Sequence, residues 1–176
     1  NHNAFTDLCW FGDRIYLVFR NCPDGHMIFN TSRIIVLSSS DGTDWRQEFS
    51  FSVPDRDVRD PHLLVFGDRL FVYSGTWFCE EDHDINRHLG YCAWTDDTQT
   101  ESWNGPKCLE GTYGHYIWRA TAHGGTAYLC GRRKKEFAHT ESPRDGAAIT
   151  EAAILESKDG FIWRHLGLTQ PIHGGE

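Results

Sequence analysis

The residues of this chain that could do chemistry are charged and gathered in a few places. Arg59-Asp60-Pro61-His62 puts a guanidinium, a carboxylate and an imidazole within four residues, and His115-Tyr116-Ile117-Trp118-Arg119 repeats the theme with a phenol. Asp7, Arg20, Arg132 and Glu151 complete the set. Several arginines converging on one place suit a carboxylate or a phosphate, because the planar guanidinium fork pairs bidentately with such groups. Whether they converge depends on the elements that carry them.

Those elements repeat. Ser39-Ser40-Asp41-Gly42-Thr43-Asp44-Trp45 returns as Ser157-Lys158-Asp159-Gly160-Phe161-Ile162-Trp163, and a degraded copy runs from Thr95 to Trp103. Asp and Gly accept the bent backbone of a tight turn, Ser and Asp can bond the turn's own amides, and Trp covers it with a large apolar plate. It is a device for joining strands, not a reactive site. A second element recurs in phase: Leu8–Phe19 matches Leu63–Tyr73 and, more loosely, Ala120–Cys130. Each copy is an apolar run, a Gly-Asp or Gly-Gly turn and another apolar run, which is the chemistry of a two-residue hairpin.

Each period adds a third strand (Arg33–Ser38, Leu89–Trp94 and residues 148–155) and a short fourth, such as Arg46–Phe51. Residues 148–155 have a helix-like composition, but their place in the repeat predicts a strand. Repeats of 55–60 residues with four antiparallel strands predict an all-β chain of three β-propeller blades, at about 1–57, 58–115 and 116–176. The chain is 176 residues long, within the range of one domain, and its aromatic content of 14% with 17 glycines suits such a fold. It starts just before a first strand and ends where a fourth first strand is due, so a whole number of blades is expected. The first residues, Asn1-His2-Asn3-Ala4, carry neither an initiator Met nor a signal peptide, as a processed, excised or engineered piece would. Three blades leave apolar faces uncovered. Two copies closing a six-bladed ring, or a longer chain, are therefore the expected solutions.

The turn motif resembles the Asp box of the sialidase (neuraminidase) superfamily, Ser-x-Asp-x-Gly-x-Thr-Trp, in a form one residue shorter before the Gly. That resemblance implies half of a six-bladed propeller. It also implies an arginine cluster for the carboxylate of an acidic sugar, an aspartate acid/base and a Tyr–Glu nucleophile pair. Phe19-Arg20-Asn21-Cys22-Pro23 is similar to the family's Phe-Arg-Ile-Pro motif. On this resemblance Asp60 is the acid/base, Tyr116 with Glu151 the nucleophile pair, and Arg20 a carboxylate ligand. Arg59-Asp60-Pro61 also resembles the strand opening of five-bladed arabinanase- and fructosidase-like glycosidases, where the Asp positions or tunes the catalytic carboxylates.

Strand order puts the starts of first strands and the ends of second strands on one side of a propeller. Alignment on Gly12, Gly67 and Gly124 makes Asp7, His62 and Arg119 equivalent, and Arg20 equivalent to Arg132 with Gly75 between them. Asp7, Arg20, Arg59, His62, Arg119 and Arg132 are the expected substrate contacts. Ion pairs pinning neighbouring blades, such as Arg59–Asp60 or Asp7–His62, are the alternative role for the same residues. Arg14 and Arg69, on the opposite side, read as solvated turn residues.

The net charge of −8 disfavours nucleic acid or an anionic membrane as partner, and no apolar run reaches the 18 or so residues of a membrane span. The six cysteines include no Cys-x-x-Cys pair. Cys9, Cys92 and Cys130 read as buried thiols in apolar strands, and disulfides stay open for Cys22, Cys79 and Cys108. Glu80–Asp84 with His88 fits no standard metal spacing and reads as a solvated acidic loop, so no metal or cofactor is expected. The function expected is a sialidase-like glycosidase or carbohydrate-binding propeller. The alternative is a non-catalytic half-propeller scaffold that self-assembles.

Overall fold

A computed structural model describes residues 1–79, 87–96, 102–134 and 150–170. They form three four-stranded antiparallel sheets, each built from consecutive strands. The first holds β1 (His2–Phe11), β2 (Arg14–Cys22), β3 (Arg33–Ser39) and β4 (Arg46–Phe51). The second holds β5 (Arg56–Phe66), β6 (Arg69–Phe78), β7 (Leu89–Thr95) and β8 (Asn104–Cys108). The third holds β9 (Tyr116–His123), β10 (Thr126–Lys134), β11 (Thr150–Ser157) and β12 (Arg164–Gln170). The first strands come together: β5 lies against both β1 and β9.

Local sequence explains the hairpins. Phe11 pairs with Arg14, Phe66 with Arg69 and His123 with Thr126, leaving two residues in each loop. Gly12 and Gly67 take φ of 59° and 60° at the first loop position, the conformation that favours glycine in this kind of turn. The helix-like composition of residues 150–157 is overridden, as expected from the repeat. Along β11, Glu151, Ala153, Leu155 and Ser157 are buried while the residues between them are half-buried, the two-residue period of a strand.

The two Ser-x-Asp-Gly turns carry the same bonds. The amides of Gly42 and Gly160 donate to Ser39 Oγ and Ser157 Oγ at 2.8 and 2.9 Å. Asp41 Oδ1 accepts from the amides of Thr43 and Asp44, and Asp159 Oδ1 from those of Phe161 and Ile162. These backbone donors hold the Asp41 carboxyl well below its usual range. Trp45 Nε1 donates to Gly42 O at 3.1 Å, whereas Trp163 is buried under the second sheet and its indole N–H has no partner among the described residues.

Two cores separate the three sheets, and the middle sheet feeds both. In β6, Leu70 and Val72 pack toward the first sheet while Phe71 and Tyr73 pack toward the third. In β5, Leu63 and Leu64 divide in the same way. A strand buried on both faces reads as a continuous apolar run, which is why this blade's strands show no alternation in sequence. Among the described residues the outermost faces have no such cover: Leu8 is 63% and Trp10 60% exposed on β1, and Leu166 is 52% exposed on β12.

Three expectations are corrected here. All six cysteines are free thiols, so Cys22, Cys79 and Cys108 form no disulfide. Cys130 is exposed rather than buried, because among the described residues no sheet covers its side of β10. Arg14 donates to Ser38 and Arg69 to Asp96, so neither turn arginine is merely solvated. Glu80–Asp84 lie outside the described residues. Among the described residues no three His, Cys, Asp or Glu side chains converge as a metal site.

Candidate functional site

The site begins with a defect shared by all three inner strands. Register breaks between Ala4 and Asp7 in β1, between Arg59 and His62 in β5, and opposite Cys130–Gly131 in β9. In each case the break precedes an equivalent residue: Asp7, His62 or Arg119. Bulges of this kind re-aim side chains and recur beside functional sites. Phe5 and Asp60 occupy the same place in successive bulges, with φ of 59° and 48°. Left-handed backbone at residues with a Cβ costs roughly 1–3 kcal/mol, and it persists only where the surroundings enforce it.

At Asp60 the enforcing group is Tyr116. Its hydroxyl donates to Asp60 Oδ2. The ring crosses from the third sheet and lies over Gly75, where a Cβ would meet it at 3.0 Å, between Trp77 and His88. Burial, then the Asp60 charge and the hydrogen bond to it, push the Tyr116 phenol well above its usual pKa. It is a protonated donor. Asp60 is half-buried, with one oxygen fixed by this bond.

Glu151 is not its partner. Tyr116 lies opposite Arg132 in the register, whereas Glu151 lies opposite Arg133 and accepts its Nε–H at 3.0 Å. The Tyr116 ring turns to the second sheet, and the Glu151 carboxylate stays buried within the third. The expected Tyr116–Glu151 pair is therefore replaced by Tyr116–Asp60 and Arg133–Glu151.

The arginines also separate. Arg20 is fully buried, as is the Asp57 carboxylate it contacts at 3.0 Å. The rest of its guanidinium donates to the carbonyls of Gly25 and Met27, both at 3.0 Å. Arg59 takes the other oxygen of Asp57 and the carbonyls of His26 and Met27. Two cations on one buried carboxylate tie the 23–32 loop to the start of β5, so Arg20 and Arg59 clamp the framework instead of opening on the mouth. Arg132 stands behind the rings of Tyr116 and Trp118, 5.7 and 5.4 Å from their centroids.

Asp7, His62 and Arg119 do meet. Asp7 Oδ1 accepts from Arg119 at 3.3 Å, and Asp7 Oδ2 accepts the Leu63 amide at 3.0 Å with His62 Nδ1 3.6 Å away. Burial would raise the Asp7 carboxyl, but His62, the Leu63 amide and Arg119 together leave it lowered. Both His62 nitrogens are buried without a hydrogen-bond partner among the described residues. The Arg119 side chain is 63% exposed, and among the described residues its guanidinium is bonded through Nη1, to Asp7.

Phe5, Thr6, Asp60, His62, Trp118 and Arg119 line a cleft of about 270 Å³, two residues from each sheet. Small-molecule sites run from roughly 300 to 1,000 Å³, so the cleft is sized for one ring. A larger hollow of about 620 Å³ lies at the opposite end, among hairpin and turn residues that include Arg69, Asp96, Lys158 and Asp159. Sequence reasoning missed Asp57, Phe5 and Trp118. Asp57 stood two residues before the Arg59 that was singled out. Phe5 and Trp118 depend on bulges, which leave no mark in an apolar pattern.

The sequence matches no protein-family model and no curated protein. Solved structures do match. One is a protein of unknown function from Dyadobacter fermentans, with TM-score 0.71 and 20% identity over 95% of this chain and 54% of that one. Trypanosoma rangeli sialidase follows at TM-score 0.70 and 13% identity, over 96% of this chain and 31% of its own. A GH43 endo-arabinanase from Bacillus licheniformis aligns at TM-score 0.57 and 14% identity, over 94% and 60%. The three sheets are β-propeller blades. This chain spans 31–60% of the length of these structures.

In blade terms the cleft opens where the first strands of three consecutive blades begin. At the entry to β9 sits a buried titratable group, His115. Burial pushes the His115 imidazole down to about 4, and the charges of Arg133 and His165 act the same way, against the bond to Tyr113 O. A histidine lowered from 6.5 takes its proton later in the folded chain than in the unfolded one. Its contribution is thus full above about pH 6.5 and is lost as pH falls to about 4. The melting midpoint is expected to fall across that window, and less steeply in His115→Gln. Equal slopes for the two proteins would overturn this assignment.

Proposed function

We propose that the cleft holds a sugar and that Asp60 acts on its glycosidic bond as acid/base, in a sialidase-like glycoside hydrolase or carbohydrate-binding propeller. The observation that carries this reading is the Asp60 carboxylate, held in a strained bulge by a buried, protonated tyrosine at the edge of a ring-sized cleft. Strain of this kind is stored where a group must be held in place. Tyr116 positions Asp60. Supporting the family reading, the Ser39–Trp45 and Ser157–Trp163 turns share the bonds proposed for an Asp box. The known glycosidases among the similar structures add to it.

An acidic sugar would place its carboxylate on the exposed Arg119 side chain, because Arg20 and Arg59 are committed to Asp57. Glycoside hydrolysis needs a second carboxyl group or a substitute across the bond. On this reading that group comes from the blades that complete a six-bladed ring, supplied by a second copy or by a longer chain. The exposed Leu8, Trp10 and Leu166 on the outer blade faces favour such closure, and they equally favour the alternative of a self-assembling half-propeller without catalysis.

Two measurements on the same sample test these readings. Light scattering behind a sizing column is expected to give twice the 20.2 kDa chain mass, and a folded monomer would remove ring closure by two copies. Hydrolysis of fluorogenic sialosides, arabinofuranosides and fructosides by the closed species supports the enzyme. A stable dimer with no turnover on any of them leaves the scaffold.

A further inference from the structure

We infer that Trp118, with Phe5 across the cleft, is the platform on which the sugar ring stacks, so that the site selects a pyranoside ring by its apolar face before any charge is read. The inference rests on the carbohydrate reading above and assigns the binding residue within it.

Placement is the first argument. Trp118 and Phe5 both sit in bulges, at the points where their strands leave the regular ladder, and both are half-buried in the lining of the cleft that holds Asp60. A regular strand would keep alternating inward and outward. The bulges instead bring two aromatic side chains and one carboxylate to a single opening, contributed by three blades.

Rigidity is the second. The Trp118 ring stands edge-on to Tyr116, with centroids 6.3 Å apart and planes at 82°, and the Arg132 guanidinium lies 5.4 Å from its centroid. Tyr116 in turn holds Asp60. The platform and the carboxylate are therefore fixed by the same side chain, and the distance between a stacked ring and Asp60 is set before a ligand arrives. An aromatic face offers a sugar's C–H groups a large contact at little cost in side-chain entropy. The C–H-bearing face of a pyranose is apolar, whereas a phosphate or a free carboxylate has none. Arg119 beside the platform is left to read a substituent on the ring.

The experiment uses the whole chain labelled with 15N in its tryptophan indoles, with the Trp118 signal assigned by its loss in Trp118→Phe. The probes are methyl glycosides of galactose, glucose and N-acetylneuraminic acid. At least one of them is expected to shift the Trp118 indole signal saturably, with affinity falling roughly tenfold in Trp118→Ala and largely restored in Trp118→Phe. Asp60→Asn is expected to keep this binding shift while losing turnover. Saturable binding that leaves the Trp118 signal unmoved, or is undiminished in Trp118→Ala, overturns the platform and leaves the carbohydrate reading in place. Unchanged turnover in Asp60→Asn overturns the acid/base role and leaves the platform. If none of the glycosides moves any indole signal, both fall together.

Discussion

Asp57→Ala is expected to lower the unfolding free energy by about 3–5 kcal/mol, the cost of leaving a buried charge without its partner. Arg20 and Asp57 are both wholly buried, and no water reaches either side chain in the folded state. Among the described residues, removing the carboxylate leaves Arg20 with the carbonyls of Gly25 and Met27 and a 3.4 Å contact to His2. Arg59 loses the same partner but is less exposed to the penalty, since its side chain retains some access to solvent and two carbonyls. The loss should therefore come mainly from Arg20. Replacing both members with apolar residues of similar volume, Arg20→Met with Asp57→Leu, is expected to recover most of the stability, because the desolvation of both charges disappears together. Urea unfolding of the three proteins checks this. A loss below about 1 kcal/mol in Asp57→Ala would place the pair among weak surface ion pairs and remove the framework role given to Arg20.

The contrast between Arg20 and Arg119 shows how far the sequence could be read. Both were expected as ligands, since both fall at the mouth side of their strands. The placement was legible because it depends on strand order and glycine phase, which the repeats supply. What each guanidinium binds was not, because that depends on a third chain segment. The 23–32 loop folds over Arg20 and supplies carbonyls, and Asp57 arrives from the next blade. Neither contact has a sequence signature.

The same limit applies to Tyr116. The alignment put it at the start of a first strand, and resemblance paired it with Glu151. The partner it takes, Asp60, is 56 residues earlier, on the adjacent blade. Gly75 is the residue that permits this: it is the blade-2 equivalent of Arg20 and Arg132, and any side chain there would fill the space of the Tyr116 ring. A glycine at the one repeat position where its equivalents are arginines was visible in the sequence. Its meaning required knowing which ring crosses it. Blade number, strand order and the hairpins, by contrast, follow from local chemistry repeated three times, and local chemistry is what a sequence states most directly.

Asp60→Asn is the change expected to act most strongly on function, with turnover falling about 10²- to 10⁴-fold, the usual worth of a positioned acid/base. Its amide oxygen can still accept the Tyr116 hydroxyl, so the bulge, the cleft and the oligomeric state should be unchanged. Tyr116→Phe separates the two roles that a tyrosine could have here. As a positioning residue its loss frees the Asp60 carboxylate to rotate, and kcat should fall by about tenfold with little change in KM. As a nucleophile its loss would remove turnover as completely as Asp60→Asn does. Geometry argues for the first outcome. A nucleophilic phenol has to give up its proton, and burial together with the neighbouring Asp60 charge opposes that. The stability cost should be small, about 1 kcal/mol, since half-buried Asp60 can take a water in place of the hydroxyl. Rates for the two variants, measured on the glycoside that the wild-type chain turns over, decide the matter. Equal loss in both would return Tyr116 to the chemistry and overturn its reading as a positioning residue.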